Sequence, residues 1–298
     1  MDPHWDDMKV FLAVARESSL SGAGRILKMD PATVGRRIAR FESAMETPLF
    51  LKSPQGYALS AAGERLLVHA EQAEQAMRAA TEEMTGPNET LAGQIRIGAP
   101  DGSANYLLPQ VCARIGEANP DLDIQVVALP RVINLSRREA DMAVTVSAPT
   151  AGQLLVKKIC DYKLHMVASR HYLRANPAIE TPEDLKKHPM IGYIPDMIFD
   201  KELDYFTDLG IDRVALASNS VSVQIKMLAQ GTGVGVAHDF TLPAHRPLRK
   251  ILTDHISLTR SFHLVRHQGD QRSERLNRFA DAFSAGIRDE VARLEAMT

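Results

Sequence analysis

Cysteine is scarce in this chain: Cys112 and Cys160 are the only two among 298 residues. Two thiols cannot build a metal cage or a disulfide framework, so both are expected to be reduced and structural. Long apolar runs are missing as well. No stretch approaches the roughly 20 apolar residues that span a bilayer. The opening MDPHWDDMK has no basic segment ahead of an apolar one, as a secretory signal would. These absences predict a cytoplasmic protein with no membrane contact. An excess of positive charge is also lacking. Thirty-five Lys+Arg stand against 37 Asp+Glu, a formal net charge of −2 and a pI near 6.6. Averaged over the chain, that balance argues against a nucleic-acid partner. Aromatics are few, at 5%. Hydrophobic residues nevertheless reach 45%, a globular content that excludes disordered and low-complexity classes. At roughly 150 residues per domain, the length suggests about two domains.

Catalytic signatures are missing too. The ten histidines form no HExxH and no Cys/His cluster. No GxSxG elbow, P-loop or strand-following GxGxxG is present. Gly231-x-Gly233-x-Gly235 is spaced differently and reads as close backbone packing. The expectation is a protein that is not an enzyme and uses neither metal nor cofactor.

What is present begins with three short helical patterns. Met8, Phe11, Leu12 and Ala15 recur at helical spacing. After Ser19-Leu20-Ser21-Gly22, where either serine is placed to cap, Ala23, Ile26 and Leu27 form the apolar face of a second helix. Asp30 then suits an N-cap and Pro31 the first helical position. Val34, Ile38, Phe41 and Met45 follow as one buried stripe. The opposite face carries Thr33, Arg36, Arg37 and Arg40, with no acid between Pro31 and Phe41. A short helix, a turn and a basic second helix make a helix-turn-helix, which lays its second helix in the DNA major groove. Arginine forks onto guanine edges or phosphates. Leu49–Lys52 and Tyr57–Leu59 flank a turn and predict a small β-wing, with Lys52 reaching a flanking phosphate.

Leu66, Ala70, Ala73, Met77, Ala80 and Met84 alternate steps of four and three, the period of a coiled-coil seam. A helix of about 24 residues would be about 36 Å long, awkward for packing on a 60-residue module. A dimerisation helix is therefore preferred to one lying on its own domain. Gly86-Pro87-Asn88 breaks it. Strand and helix patterns then alternate. Strands are expected at 94–98, 123–129, 141–146, 164–169, 190–194, 214–217, 232–238 and 262–267. Helices are expected at 106–117, from Thr181, at 221–230 and from Leu276 to Leu294. The alternation predicts an α/β region with largely parallel sheets.

Residues 8–65 resemble the DNA-binding domain of LysR-type transcriptional regulators. The resemblance rests on Phe11-Leu12-Ala13-Val14-Ala15, Ser19-Leu20-Ser21-Gly22-Ala23, Ala32-Thr33-Val34-Gly35-Arg36-Arg37-Ile38, Phe41-Glu42, Pro48-Leu49-Phe50 and Leu59-Ser60-Ala61-Ala62-Gly63-Glu64. Leu91-Ala92-Gly93, Leu108-Pro109 and Gly231–Val236 extend it over the chain. This sequence has Asp30-Pro31 where the family commonly has Ser-Gln, and Lys52 where arginine is common.

The resemblance implies an α+β multidomain fold. A winged helix-turn-helix would occupy 1–59, a linker and dimerisation helix 60–86, and an effector-binding domain 87–298. That last domain would resemble periplasmic binding proteins. Its subdomain I would span about 92–161 and 268–298, and subdomain II about 162–267. The chain would cross near Asp161-Tyr162 and His267-Gln268. Implied DNA-binding residues are Ser21, Pro31, Ala32, Thr33, Arg36, Arg37, Arg40 and Lys52. Implied effector contacts are Pro100, Gly102, Ser103, Leu129, Arg131, Ser147, Tyr193, Ser218 and Ser220. Asp101 would repel an anionic effector and Arg131 attract one. The implied partners are double-stranded operator DNA, a small-molecule effector, a second copy through 60–85, a homotetramer through the sensor domains, and RNA polymerase for an activator.

The charge balance then changes meaning. Residues 16–40 hold six Lys/Arg and two acids, whereas 66–91 hold one Lys/Arg and five acids. A basic reading head is hidden in a chain of net charge −2.

Overall fold

The computed structural model describes residues 4–53, 56–84, 90–128, 140–149 and 152–298. The chain divides into two compact units, Met1–Asn88 and Glu89–Thr298.

In the first unit α1 (Trp5–Glu17) ends where Ser18 turns left-handed, at φ 52°. Of the two candidate serines it is Ser19 that caps α2 (Leu20–Leu27), accepting from Gly22 N at 3.2 Å. Asp30 caps α3 (Pro31–Ala44), with Pro31 in its first turn. Strands β1 (Phe50–Ser53) and β2 (Gly56–Leu59) form the antiparallel wing. Tyr57 N donates to Ser18 O at 2.9 Å and ties that wing to the end of α1. Glu42 holds its other end, accepting Leu49 N at 2.8 Å and Phe50 N at 3.1 Å. The core joins Phe11, Phe41 and Phe50 to Val14, Ala23, Val34, Ile38 and Leu49. Met45, expected to continue the stripe, is instead 36% exposed beyond the end of α3.

Helix α4 (Ala61–Met84) follows. Its first half joins the core through Leu66, Leu67 and Ala70. Glu74 on the same helix makes a forked ion pair with Arg16 of α1, at 2.7 and 3.2 Å. The second half turns outward, leaving Met77 58% exposed.

The second unit contains β3 (Gly93–Ala99), α5 (Asp101–Tyr106), α6 (Leu108–Ala118), β4 (Leu122–Ala128), β5 (Met142–Thr145), β6 (Leu154–Ser169) and α7 (Arg170–Ala175). It continues with β7 (Met190–Gly192), β8 (Leu216–Ala217), α8 (Val221–Ala229), β9 (Val234–His238), β10 (Leu248–Ile251), β11 (Ser257–His267) and α9 (Glu274–Glu295). One nine-stranded sheet runs β4-β3-β5-β11-β6-β9-β7-β8, with β10 on β6.

The sheet is mixed, not largely parallel. β3 pairs in parallel with β4 and β5, and β7 with β8 and β9. The centre is antiparallel, because β6 leaves one lobe and β11 returns along it. Residues 154–165 of β6 meet β11, whose residues 263–266 also meet β5, and residues 164–169 of β6 meet β9 and β10. The register of β11 shifts between Phe262 and His263, ahead of the crossing expected at His267-Gln268. Continuous pairing explains why β6 begins at Leu154 instead of Leu164: its solvated half lacks the apolar run that marks a strand.

Further differences are local. The expected 106–117 helix is α6, beginning at Leu108 with Pro109 in its first turn, and a short separate helix, α5, precedes it. Thr181 and Asp184 do form a capping box. The helix it opens is only a 3-10 turn, Pro182–Lys187, stopped ahead of Pro189. The expected close packing at Gly233 and Gly235 is present. Side chains there would meet Pro189 O at 2.2 Å and Ile191 O at 2.3 Å. Leu276, Phe279, Phe283, Ile287, Val291 and Leu294 are the buried stripe of α9.

Candidate nucleic-acid interface and effector cleft

The polar face of α3 is organised from its cap. Asp30 Oδ1 accepts Thr33 N at 2.9 Å, and Thr33 Oγ1 donates to Asp30 Oδ2. These bonds hold the Asp30 carboxyl below the usual carboxylate range. Thr33 Oγ1 in turn accepts Arg36 Nη2 at 3.0 Å. Arg36 is exposed, whereas Arg37 is half-buried and has no side-chain partner among the described residues.

Arg40 is different. Its Nε donates to Asp7 Oδ2 at 2.8 Å and its Nη2 to Oδ1. Asp7 is 1% exposed, so Arg40 neutralises a buried charge of α1. It staples α1 to α3, a task that helical spacing cannot reveal. Pro31 and Ala32 are exposed in the first turn of α3. Ser21 is exposed on α2, 3.1 Å from Ser19 Oγ. Lys52 lies in β1, paired with Tyr57; its side chain lies outside the described residues.

The second unit holds a cleft lined by residues from both lobes. Pro100, Gly102, Ser103 and Tyr193 of the expected contacts line it, together with Val146, Asn219, Val221, His238 and Phe262. Several of the expected residues are already hydrogen-bonded within the chain. Ser103 Oγ donates to Pro100 O at 3.0 Å. Ser147 Oγ donates to Asp200 Oδ2. Ser218 Oγ accepts Ser220 N at 3.1 Å. Ser220 caps α8, accepting Val223 N at 3.3 Å. Leu129 and Arg131 lie outside the described residues.

Asp101 bridges the lobes. Its Oδ2 accepts Ser220 Oγ at 3.0 Å, Ser222 N at 2.9 Å and Ser222 Oγ at 3.1 Å. Tyr106 Oη and His245 Nε2, 2.9 Å apart, make a second bridge. The enclosed space is about 20 Å3, room for about one water.

His238 was not singled out by its spacing. Four buried histidines are described: His165, His188, His238 and His267. His165 meets Asp239 at 2.8 Å, His188 meets Tyr172 Oη at 2.8 Å, and His267 accepts Gly269 N at 3.2 Å. His238 stacks on Tyr162 and lies tilted against Phe240, but its enclosed Nδ1 has no hydrogen-bond partner among the described residues. Burial pushes its pKa down to about 4. Its position at the C-terminal end of the Gly-punctuated strand β9 was the available signal, since binding clefts open at strand C-termini.

Burial pushes the Cys112 and Cys160 thiols up to about 11, so both stay protonated at neutral pH. Among the described residues, no group of three His, Cys, Asp or Glu could hold a metal ion. No helix among them is long and apolar enough to cross a membrane.

A helix-turn-helix reader and a two-lobed α/β cleft define a class, the one-chain sensor-regulator. The "Bacterial regulatory helix-turn-helix protein, lysR family" model matches residues 5–64, and the "LysR substrate binding domain" model matches residues 88–288. The chain belongs to the LysR family of transcriptional regulators.

Similar proteins agree. HTH-type transcriptional regulator CrgA of Neisseria meningitidis is 24% identical over 193 residues, 65% of this chain and 64% of CrgA, just under two-thirds of its length. HTH-type transcriptional regulator GltR of Bacillus subtilis is 23% identical, over 86% of both chains. A full-length OxyR variant from Pseudomonas aeruginosa superposes with a TM-score of 0.75 at 15% identity, covering 97% of this chain and 95% of that one. Full-length LysG from Corynebacterium glutamicum, with bound effector Arg, has a TM-score of 0.66 at 17% identity, over 96% and 98%. The structural likenesses establish the fold.

Proposed function

We propose that this chain reads an operator through α3 and is modulated by a small molecule in the second unit's cleft. The observation carrying the first part is the face of α3 opposite Val34, Ile38 and Phe41. It presents Arg36 exposed and Arg37 without a side-chain partner, ready to meet guanine edges and phosphates. Thr33, Pro31, Ala32 and Ser21 supply close backbone and hydroxyl contacts, and Lys52 a flanking phosphate contact. Arg40 serves mainly as a staple and offers its remaining nitrogen to phosphate.

The stretch of α4 that exposes Ala76, Met77 and Ala80 pairs two copies, so two reading heads meet an operator of approximate two-fold symmetry. Sensor domains join the pairs into a tetramer. The effector binds through Pro100, Gly102, Ser103, Tyr193, Ser218 and Ser220, and Leu129 and Ser147 complete the site. It acts by favouring one assembly over another, which requires different affinities for the two. The protein works in the cytoplasm, contacts RNA polymerase where it activates, and catalyses no reaction.

A footprint on the DNA upstream of its own coding region tests the reading. Arg36→Ala and Arg37→Ala should each weaken binding about tenfold or more and leave the thermal unfolding transition unchanged. Affinity should fall steeply with salt. Unaltered footprints in both variants would remove α3 from the groove.

A further inference from the structure

The head of α8 already carries an anion, and the chain supplies it. Asp101 Oδ2 accepts from Ser220 Oγ, Ser222 N and Ser222 Oγ, all within 3.1 Å. Asp101 Oδ1 accepts Asn105 Nδ2 at 3.0 Å. The positive end of a nine-residue helix favours negative charge, and its first N–H groups are the natural donors. Here Ser222 N is taken by Asp101 and Val223 N by Ser220 Oγ.

Among the described residues lining the cavity beside this bridge there is no compensating cation. Asp101 is the one ionised group among the described residues lining it; no Lys or Arg joins them. His238 lines the same space and is neutral at physiological pH. It supplies the independent sign of a ligand, being 6% exposed with an enclosed Nδ1 that no described residue satisfies. Such an orphan is costly in a folded protein and marks a place where a partner is expected. Tyr193, Phe199 and Phe262 complete an aromatic wall, a surface that suits apolar or cationic groups.

We infer that Asp101 is a built-in occupant of the anion position at the head of α8, so that the cleft selects an effector with an uncharged or cationic hydrogen-bond-donating head and rejects a free carboxylate. The inference rests on the cleft being the effector site. The space enclosed now holds about one water, so entry parts the lobes and breaks the Asp101 bridge. The freed carboxylate then faces the incoming head. A donor pairs with it, whereas a second carboxylate meets like charge and donors already committed.

Benzylamine and benzoate, matched in ring and size, test this by calorimetry on the full chain. Wild type should bind benzylamine at least tenfold more tightly than benzoate. Asp101→Ala vacates the anion position and should gain benzoate affinity at least tenfold while losing benzylamine. Asp101→Asn keeps the shape, supports folding, and should shift in the same direction. Benzoate binding wild type as tightly as it binds either variant, or binding neither variant, would overturn the inference. In Asp101→Ala/Gly102→Leu the added side chain fills the space beside Val221. Loss of benzoate there places it in the cleft. Benzoate retained there overturns the cleft reading itself, a failure distinct from one of Asp101 alone.

Discussion

At the scale of residues, similar side chains divide by what they face. Arg37 and Arg40 lie three positions apart on one helix, yet Arg40 is drawn down to the buried carboxylate of Asp7 and Arg37 is not. A buried charge must be paired, so that arginine is spent on the fold. Histidines divide in the same way, and His238 has a measurable consequence. Desolvation lowers its pKa to about 4, against the pull of Asp239 and Asp101 upward. The unfolded chain takes up a proton near pH 6.5 and the folded chain does so only near pH 4. Stability is therefore lost as pH falls through that window. Chemical denaturation at pH 7.5 and 5 should show about 2 kcal/mol more pH-dependent loss in wild type than in His238→Phe. The comparison with the variant cancels the same-direction contributions of His188, His245 and His263, which burial also lowers.

At the scale of elements, the helix-turn-helix angle depends on how closely α2 approaches the turn after it. Gly24 sits where a Cβ would lie 2.6 Å from Met29 O, a backbone atom that cannot move aside. Gly24→Ala should destabilise the first unit by about 1–3 kcal/mol, read as a lower urea midpoint, and should weaken operator binding with it. Gly116 of α6 has nothing within 4 Å of that position. Gly116→Ala should be neutral or should raise the midpoint of the second unit, since alanine is the better helix former.

At the scale of the molecule, the proposed assembly turns on the second half of α4. Its first half is committed to its own domain through Ala70 and the Arg16–Glu74 fork, whereas Met77 is 58% exposed. Met77→Asp puts a charge on the proposed seam without touching that core. Sedimentation should show dissociation to monomers at concentrations where wild type is dimeric, with the circular dichroism spectrum unchanged. A variant that stays dimeric would move the interface elsewhere.

The three short helices, their caps and the buried stripe of α3 were legible from spacing, because local periodicity and capping chemistry act within a few residues. The stripe of α9 and the tight Gly233–Gly235 strand were legible for the same reason. Arg40's engagement, the length of β6 and the antiparallel centre of the sheet were not. Each depends on a partner 33 residues or more away: Asp7 for Arg40, β11 for β6. The same holds in the cleft. The family resemblance pointed to Gly102, Ser103 and Ser220 as cleft residues. Only tertiary structure brought Ser220 and Ser222 to Asp101, 119 and 121 residues apart, and left His238 unpartnered between the lobes. The sequence by itself determined a LysR-type reader with a sensor domain, since both rest on contiguous patterns. The tertiary structure decided which charges remain free to act, because a charge is neutralised by whatever the fold sets beside it, however far off along the chain.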